Sequence, residues 1–347
     1  MVAMAEPVIA SPERLRERVF AALTAAGADE ASASATTRAL MHASRLGIDS
    51  HGVRLAPHYA RMMQTGRVNP RPRHAVTRTG SAAAMLDANN GLGHGAAYAA
   101  MALACDMAAS AGVAAVGVVH SSHFGAAGAY ALAGAEAGLI ALSTGNADSL
   151  VSPHHGTRPF HGTNPFAAAA PVPGQSPWLL DMATSSIPLN RVLLYGALGQ
   201  ALPDGVAADA QGAATNDPDA VAMLIPLGGI DFGYKGAGLA GLATILSAVL
   251  TGGTLDHDMI RMFHTDDVAT PRNLGHCCIA IDPDKFVGRA AYEAAMTRYI
   301  GALRSVPATA GERVLAPGDR EWEMAASRAG GIPVDPETAA YLGLTGA

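Results

Sequence analysis

Aromatic residues and cysteine are scarce in this sequence. Phe, Trp and Tyr supply 5% of 347 residues, so a core must be assembled mainly from Ala, Val, Leu and Ile, within an apolar total of 50%. Three cysteines, with Cys277 and Cys278 adjacent, give no disulfide framework and no C-x-x-C metal pair. Basic residues are dispersed and the net charge is -6, which argues against nucleic acid as a partner. No apolar run reads as long and pure enough to span a membrane. The opening "MVAMAEPVIASPERLRER" lacks the basic start and apolar stretch of a signal peptide. These absences lead to an expectation of a cytoplasmic protein with no membrane partner, of two domains or of one with a helical annex.

Two patterns fill the chain. "SPERLRERVFAALTAAG" reads as a helix capped by Ser11, with Pro12 in the first turn, Gly27 as the stop, and a stripe of Leu15, Val19, Leu23 and Ala26. A second helix follows over 29–46, then a polar, glycine-broken loop and a short helix. From about residue 75, short β-branched runs alternate with Ala-rich helices, the signature of an α/β layer structure. Strands are expected at "VAAVGVVH", "LIALSTG", "PFAAAAP", "WLLDMAT" and "HCCIAID", and a long helix at "GRAAYEAAMTRYIGALRSV".

Gly236, Gly238 and Gly241 spell G-x-G-x-x-G, the string of a dinucleotide-binding turn. That turn requires a buried strand immediately before it. "GGIDFGYK" has instead the composition of a loop, so the spelling is taken as a coincidence and close helix packing as the alternative. Lys235 beside a helix start remains well placed to meet an anion.

Several side chains could carry chemistry. Ser50-His51-Gly52 with Arg54 sits in a loop after a helix: an imidazole serves as acid or base, and a guanidinium grips a carboxylate. The same residues also fit a solvated loop. His120 and His123 close an expected strand, the edge where α/β sheets gather ligands. His94, His154 and His155 read as structural or loop residues. Asp181, on a strand, needs a partner, either an imidazole in a Ser-His-Asp relay or backbone N–H groups. No carboxylate lies at a helical spacing from the histidines, so no metal site is expected. A metal-dependent hydrolase or lyase using the histidine loops is the rival of another class. A serine hydrolase on Ser50 lacks the G-x-S-x-G elbow.

"SRLGIDSHGVR", "DANNGLGHGAA", "SSHFGAAGAYA", "GTNPFAAAAP", "LDMATSS" and "GYKGAGLAGL" occur in that order over about the whole chain. Together they resemble the malate/L-lactate dehydrogenase family, which also holds ureidoglycolate and L-sulfolactate dehydrogenases, 2,3-diketogulonate reductase and cyclic ketimine reductases. The resemblance implies an α/β fold with a non-Rossmann, mixed-sheet nicotinamide-binding domain over 76–287. A helical domain would be built from both termini, 1–75 plus 288–347. It implies hydride transfer between NAD or NADP, with NAD favoured, and a small 2-hydroxy or 2-oxo acid. Reduction of cyclic imino acids and oxidation of ureidoglycolate are the alternatives within the family. His51 would be the proton donor, with Ser50 beside it in a relay and Asp181 as the acidic partner; His123 would join it at the catalytic centre, one of the two imidazoles binding substrate instead. Arg54 would anchor the substrate carboxylate, with Thr163 and Asn164 beside it. Asp181, Met182, Ala183, Thr184, Lys235, Gly236, Gly318 and Asp319 would border the cofactor, and a homodimer is implied. The sequence departs from the family at Asp319, where Glu is usual, and in the longer run "GGIDFGYKG".

Overall fold

A computed structural model describes residues 6–263 and 265–345. Ser11 caps helix α1 (Pro12–Ala25) by accepting from the Arg14 N–H, and Asp29 caps α2 (Glu30–Arg45) through the Ser32 N–H. Each cap satisfies a donor that the first helical turn leaves without a partner. Leu15, Val19 and Leu23 of α1 are fully buried. They pack with α2, with Tyr59 and Met62 of α3 (Ala56–Gln64), and with Ile332, Val334 and Leu342 near the other end of the chain. The two ends meet through β1 (Val8–Ala10), which pairs antiparallel with β11 (Ile332–Val334), and through α10 (Pro336–Tyr341).

The central layer is a mixed sheet of seven strands in the order β2-β3-β4-β10-β5-β6-β7. These are β2 (Ala75–Arg78), β3 (Ala83–Asp87), β4 (Val113–Ser121), β5 (Ile140–Gly145), β6 (Phe166–Ala170), β7 (Trp178–Met182) and β10 (Leu274–Ile281). Only β3 and β4 run parallel, joined by α4 (Gly93–Ala111) as a crossover; the other neighbouring pairs are antiparallel. α4 packs with Val116, Val118, Cys278 and Ala280. A Cβ on the intervening Gly117 would meet Thr251 instead, so alternation puts two helical layers on opposite faces. α5 (Gly128–Glu136) lies beside α4, over β5 and β6.

On the opposite face runs α7 (Gly229–Thr244), continuing through a π-helical turn over Ile245–Val249. This corrects two sequence expectations. "GGIDFGYK" is not a loop: all but its first glycine lies within α7, so Lys235 and Gly236 stand in the helix interior. The helix from Gly229 to Val249 spans 21 residues at a mean hydropathy of 1.2, long and apolar enough to cross a membrane by length and composition, with a third of it buried. Two-residue strands β8 (Ala207–Ala208) and β9 (Met223–Leu224) pair nearby, beyond α6 (Leu189–Ala197). α8 (Arg289–Arg304) packs its Ile300 against Val172 and Ala316 at the β7 edge of the sheet. α9 (Asp319–Ser327) follows Gly318, which caps it at a φ of 98°.

Candidate active site

His51 ends a single 3-10 turn, Asp49–His51, between α2 and α3. That turn is pinned by Arg328, whose guanidinium meets both Asp49 carboxylate oxygens at 2.6 and 2.8 Å. Gly52 is required here, since a Cβ would come 2.2 Å from Ser44 Oγ. Ser44 Oγ in turn accepts from the Val53 N–H at 2.9 Å. The Ser50 hydroxyl lies 2.9 Å from His51 Nδ1.

His123 sits in the loop between β4 and α5, its Nδ1 2.7 Å from the buried Tyr59 hydroxyl. The loop is held against α4 because Gly93 lacks a side chain: a Cβ would lie 2.3 Å from the Ser122 carbonyl. The two imidazoles thereby approach to 5.7 Å between ring centroids. Burial lowers the pKa of both. For His123 the neighbouring His51, His94, Arg272 and His58 charges push further in the same direction. Both rings are therefore neutral at pH 7, and each has one nitrogen bonded to a hydroxyl. Such a pair can take a proton from an alcohol, or pass one to a carbonyl oxygen, at the ring nitrogen left free.

The other expected residues fall into three groups. Asp181, near the end of β7, accepts from the Gly128 N–H at 2.9 Å, at the first turn of α5. Among the described residues its hydrogen bond is with backbone, not with an imidazole, so the Ser-His-Asp relay is not formed there; burial raises its pKa to about 6. The chain after Asp181, through Met182 and Ala183, reaches Thr184. The Thr184 N–H and hydroxyl both donate to the Thr163 carbonyl, and its own carbonyl accepts from Leu227. Leu227 in turn accepts from the Gly236 N–H at 3.1 Å. β7, the loop before β6 and α7 are thus bound together at one place, with Lys235 exposed beside it. Gly318 packs on Leu179 of β7, and Asp319 is engaged by Arg304 at 2.6 Å.

Two substrate-side expectations need correction. Asn164 is fully buried and its amide is used up, donating to Asp256, Thr244 and the Ala240 carbonyl and accepting from Ala147. It is a clamp between β6 and α7 and has no donor left for a ligand. Arg54 is exposed and lines a different pocket, with Pro7, Asp49, Pro333 and Asp335. It lies in the turn next to His51, but the pocket that it lines holds neither His51 nor His123.

The malate/L-lactate dehydrogenase family model matches residues 10–343. The chain belongs to this family. It is 34% identical to a malate dehydrogenase of Pyrococcus abyssi over 83% of this chain and 79% of that one. It is 32% identical to the ureidoglycolate dehydrogenase (NAD(+)) of Escherichia coli O157:H7, over 96% and 94%. The sulfolactate dehydrogenase of Methanocaldococcus jannaschii superposes with a TM-score of 0.90 at 28% identity, covering 96% of this chain and 95% of the other. Like the family, this chain is an NAD(P)-dependent dehydrogenase that acts on a CH–OH carbon. Nothing in these likenesses supports the hydrolase or lyase reading.

Sequence reasoning missed Tyr59, Arg67, Arg272 and His276. Tyr59 lies on α3, the first α-helix after the Ser50-His51 turn, an available signal. Arg67 and Arg272 are far apart in sequence and meet only in the fold. His276 stacks on Phe124 at 4.2 Å and meets Ser121 Oγ at 2.9 Å, supporting the His123 loop from β10.

Proposed function

We propose that this member of the malate/L-lactate dehydrogenase family interconverts a small 2-hydroxy acid of the malate or lactate type and its 2-oxo acid, with NAD as the preferred cofactor. The observation that carries this reading is the pair of neutral imidazoles, each with a hydroxyl partner, 5.7 Å apart. When bound, the nicotinamide accepts or supplies the hydride. His123 exchanges the proton at the substrate oxygen, Tyr59 holds its ring, and His51 with Ser50 orients the substrate from the other side.

The cofactor is assigned to the junction of Asp181 to Thr184 with Lys235 and Gly236, bordered by Gly318. A mixed-sheet, non-Rossmann mode suits it, because the G-x-G-x-x-G string is interior to α7 and no turn follows a strand there. The residues fit an anionic group: Lys235 is exposed and in no ion pair among the described residues, and space is open around Gly238. The division into a terminal helical unit (1–75 with 288–347) and a central unit (76–287) belongs to the same reading. The β1–β11 pair supports it, while α8 lies against the central sheet.

A homodimer in the cytoplasm completes the proposal. The apolar surface that suggests it is on α6, α7 and the π-helical turn that follows, where Leu193, Leu194, Phe232, Leu242, Ile245 and Val249 are exposed. Light scattering that gives the 35.2 kDa of one chain would remove the dimer. The activity itself is tested by a panel of 2-oxo acids and cyclic imines with NADH and NADPH, followed through nicotinamide absorbance. Consumption with a 2-oxo acid is expected; consumption with cyclic imines alone would replace the substrate class.

A further inference from the structure

With Arg54 exposed in a different pocket, the substrate carboxylate needs another cation. It must lie near His123, because in a 2-hydroxy or 2-oxo acid the carboxylate carbon is bonded to the reacting carbon. Beside His123 is a small cavity lined by His58, Tyr59, Met62, Arg67, Ser122, Met262 and Arg272. Two guanidinium groups face one space there, both nearly fully buried, at 3% and 6% exposure. Arg272 is spoken for: its Nη2 meets Asp148 and its Nε donates to the Ile260 carbonyl at 2.8 Å. Arg67 is not. Its Nη2 donates to the Asp267 carbonyl, and the Asp267 carboxylate stands at 3.5 Å, but its Nε is buried with no partner among the described residues.

A buried guanidinium N–H without an acceptor costs free energy that an incoming anion would relieve. The field around it is positive. Burial first, then Arg272, Arg67 and Arg61, pushes the neighbouring His58 down to about 4. We propose that Arg67 is the residue that reads the substrate carboxylate, with Arg272, fixed by Asp148, reinforcing the field. The inference rests on the dehydrogenase reading for its substrate, though not for the anion site itself. The cavity, about 20 Å³, has room for about one water. Substrate therefore enters by displacing the Met262 side chain, a flexible unbranched group suited to giving way. Met262 is joined to the arginine pair, since its N–H donates to the other oxygen of Asp148 at 3.1 Å.

Oxalate, which places a carboxylate beside a second carbonyl oxygen, is the probe, titrated calorimetrically into the whole protein with and without NADH. Arg67→Gln should weaken oxalate binding roughly ten- to a hundredfold and raise KM for the best 2-oxo acid by a similar factor, with kcat changed less. Arg54→Gln should leave both unchanged. Arg67→Lys keeps the charge but loses the Nε edge, and an intermediate loss of about tenfold is expected. That variant carries the test if Arg67→Gln does not fold. Undiminished oxalate affinity and KM in the Arg67 variants would overturn the assignment, as would no oxalate binding by the unaltered protein or a loss confined to Arg54→Gln. Arg67-dependent oxalate binding without reduction of any 2-oxo acid would keep the anchor and remove the 2-oxo acid as substrate.

Discussion

Tyr59 and Ser50 each set one ring nitrogen of an imidazole, and the pH behaviour follows from the neutrality this environment enforces. Burial holds both His51 and His123 below the ordinary histidine range, so each is a ready proton acceptor at pH 7. Oxidation of the hydroxy acid should keep its kcat/KM down to pH values below 6.5, where an ordinary histidine would already be protonated. Reduction of the 2-oxo acid should instead gain as pH falls, because the proton must be supplied. Tyr59→Phe removes the hydroxyl 2.7 Å from His123 and leaves the ring in its packed site. We expect turnover to drop about ten- to a hundredfold with cofactor affinity unchanged. Steady-state kinetics in both directions check this, and an unchanged kcat would reduce Tyr59 to a packing residue.

Elements show where sequence reading succeeds and where it stops. The cap Ser11, the α1 stripe and the sheet strands from β4 to β7 and β10 were legible because hydrogen-bonding side chains and apolar period decide them locally. His51 and His123 were legible as motifs, though their approach depends on glycines at 52 and 93 that let segments touch. The start of α7 was not legible: its glycines argue against a helix, and tertiary packing overrides that local preference. Gly236 shows the reason. A Cβ there would lie 2.4 Å from the Leu227 N and O atoms, so the helix is seated against backbone that only glycine admits. Gly238, two residues on, has nothing within 4 Å of the same position. The two glycines of one motif should therefore respond with opposite signs. Gly236→Ala should destabilise by about 1–3 kcal/mol through overpacking. Gly238→Ala should stabilise by roughly 0.5–1 kcal/mol, because alanine loses less freedom in a helix. Urea midpoints read both, and a destabilised Gly238→Ala would show that this face is covered in solution.

For the whole molecule, other buried neutral histidines should set its acid limit. Burial, the first cause in each case, pushes His94 and His276 down to about 3 and His42 and His58 to about 4. In the unfolded chain these groups take up protons near pH 6.5. Below that pH the unfolded state binds more protons than the folded one, so stability present above 6.5 is lost as pH falls. Asp181 works in the other direction. Its folded pKa, raised by burial to about 6, exceeds the unfolded value near 3.8, so falling pH relieves a strain between those limits. At pH 5 each of the four histidines withholds about 2 kcal/mol, whereas Asp181 returns only about 1.4 kcal/mol. The histidines win, and the deficit is comparable with the 5–15 kcal/mol that holds a typical domain together. Melting temperature should therefore be nearly level from pH 8 to 6.5 and fall steeply between 6.5 and 4.5. Scanning calorimetry across that range is the check. A level curve to pH 4.5 would mean that these imidazoles protonate in the folded state, and that the interior around His94 and His276 admits water.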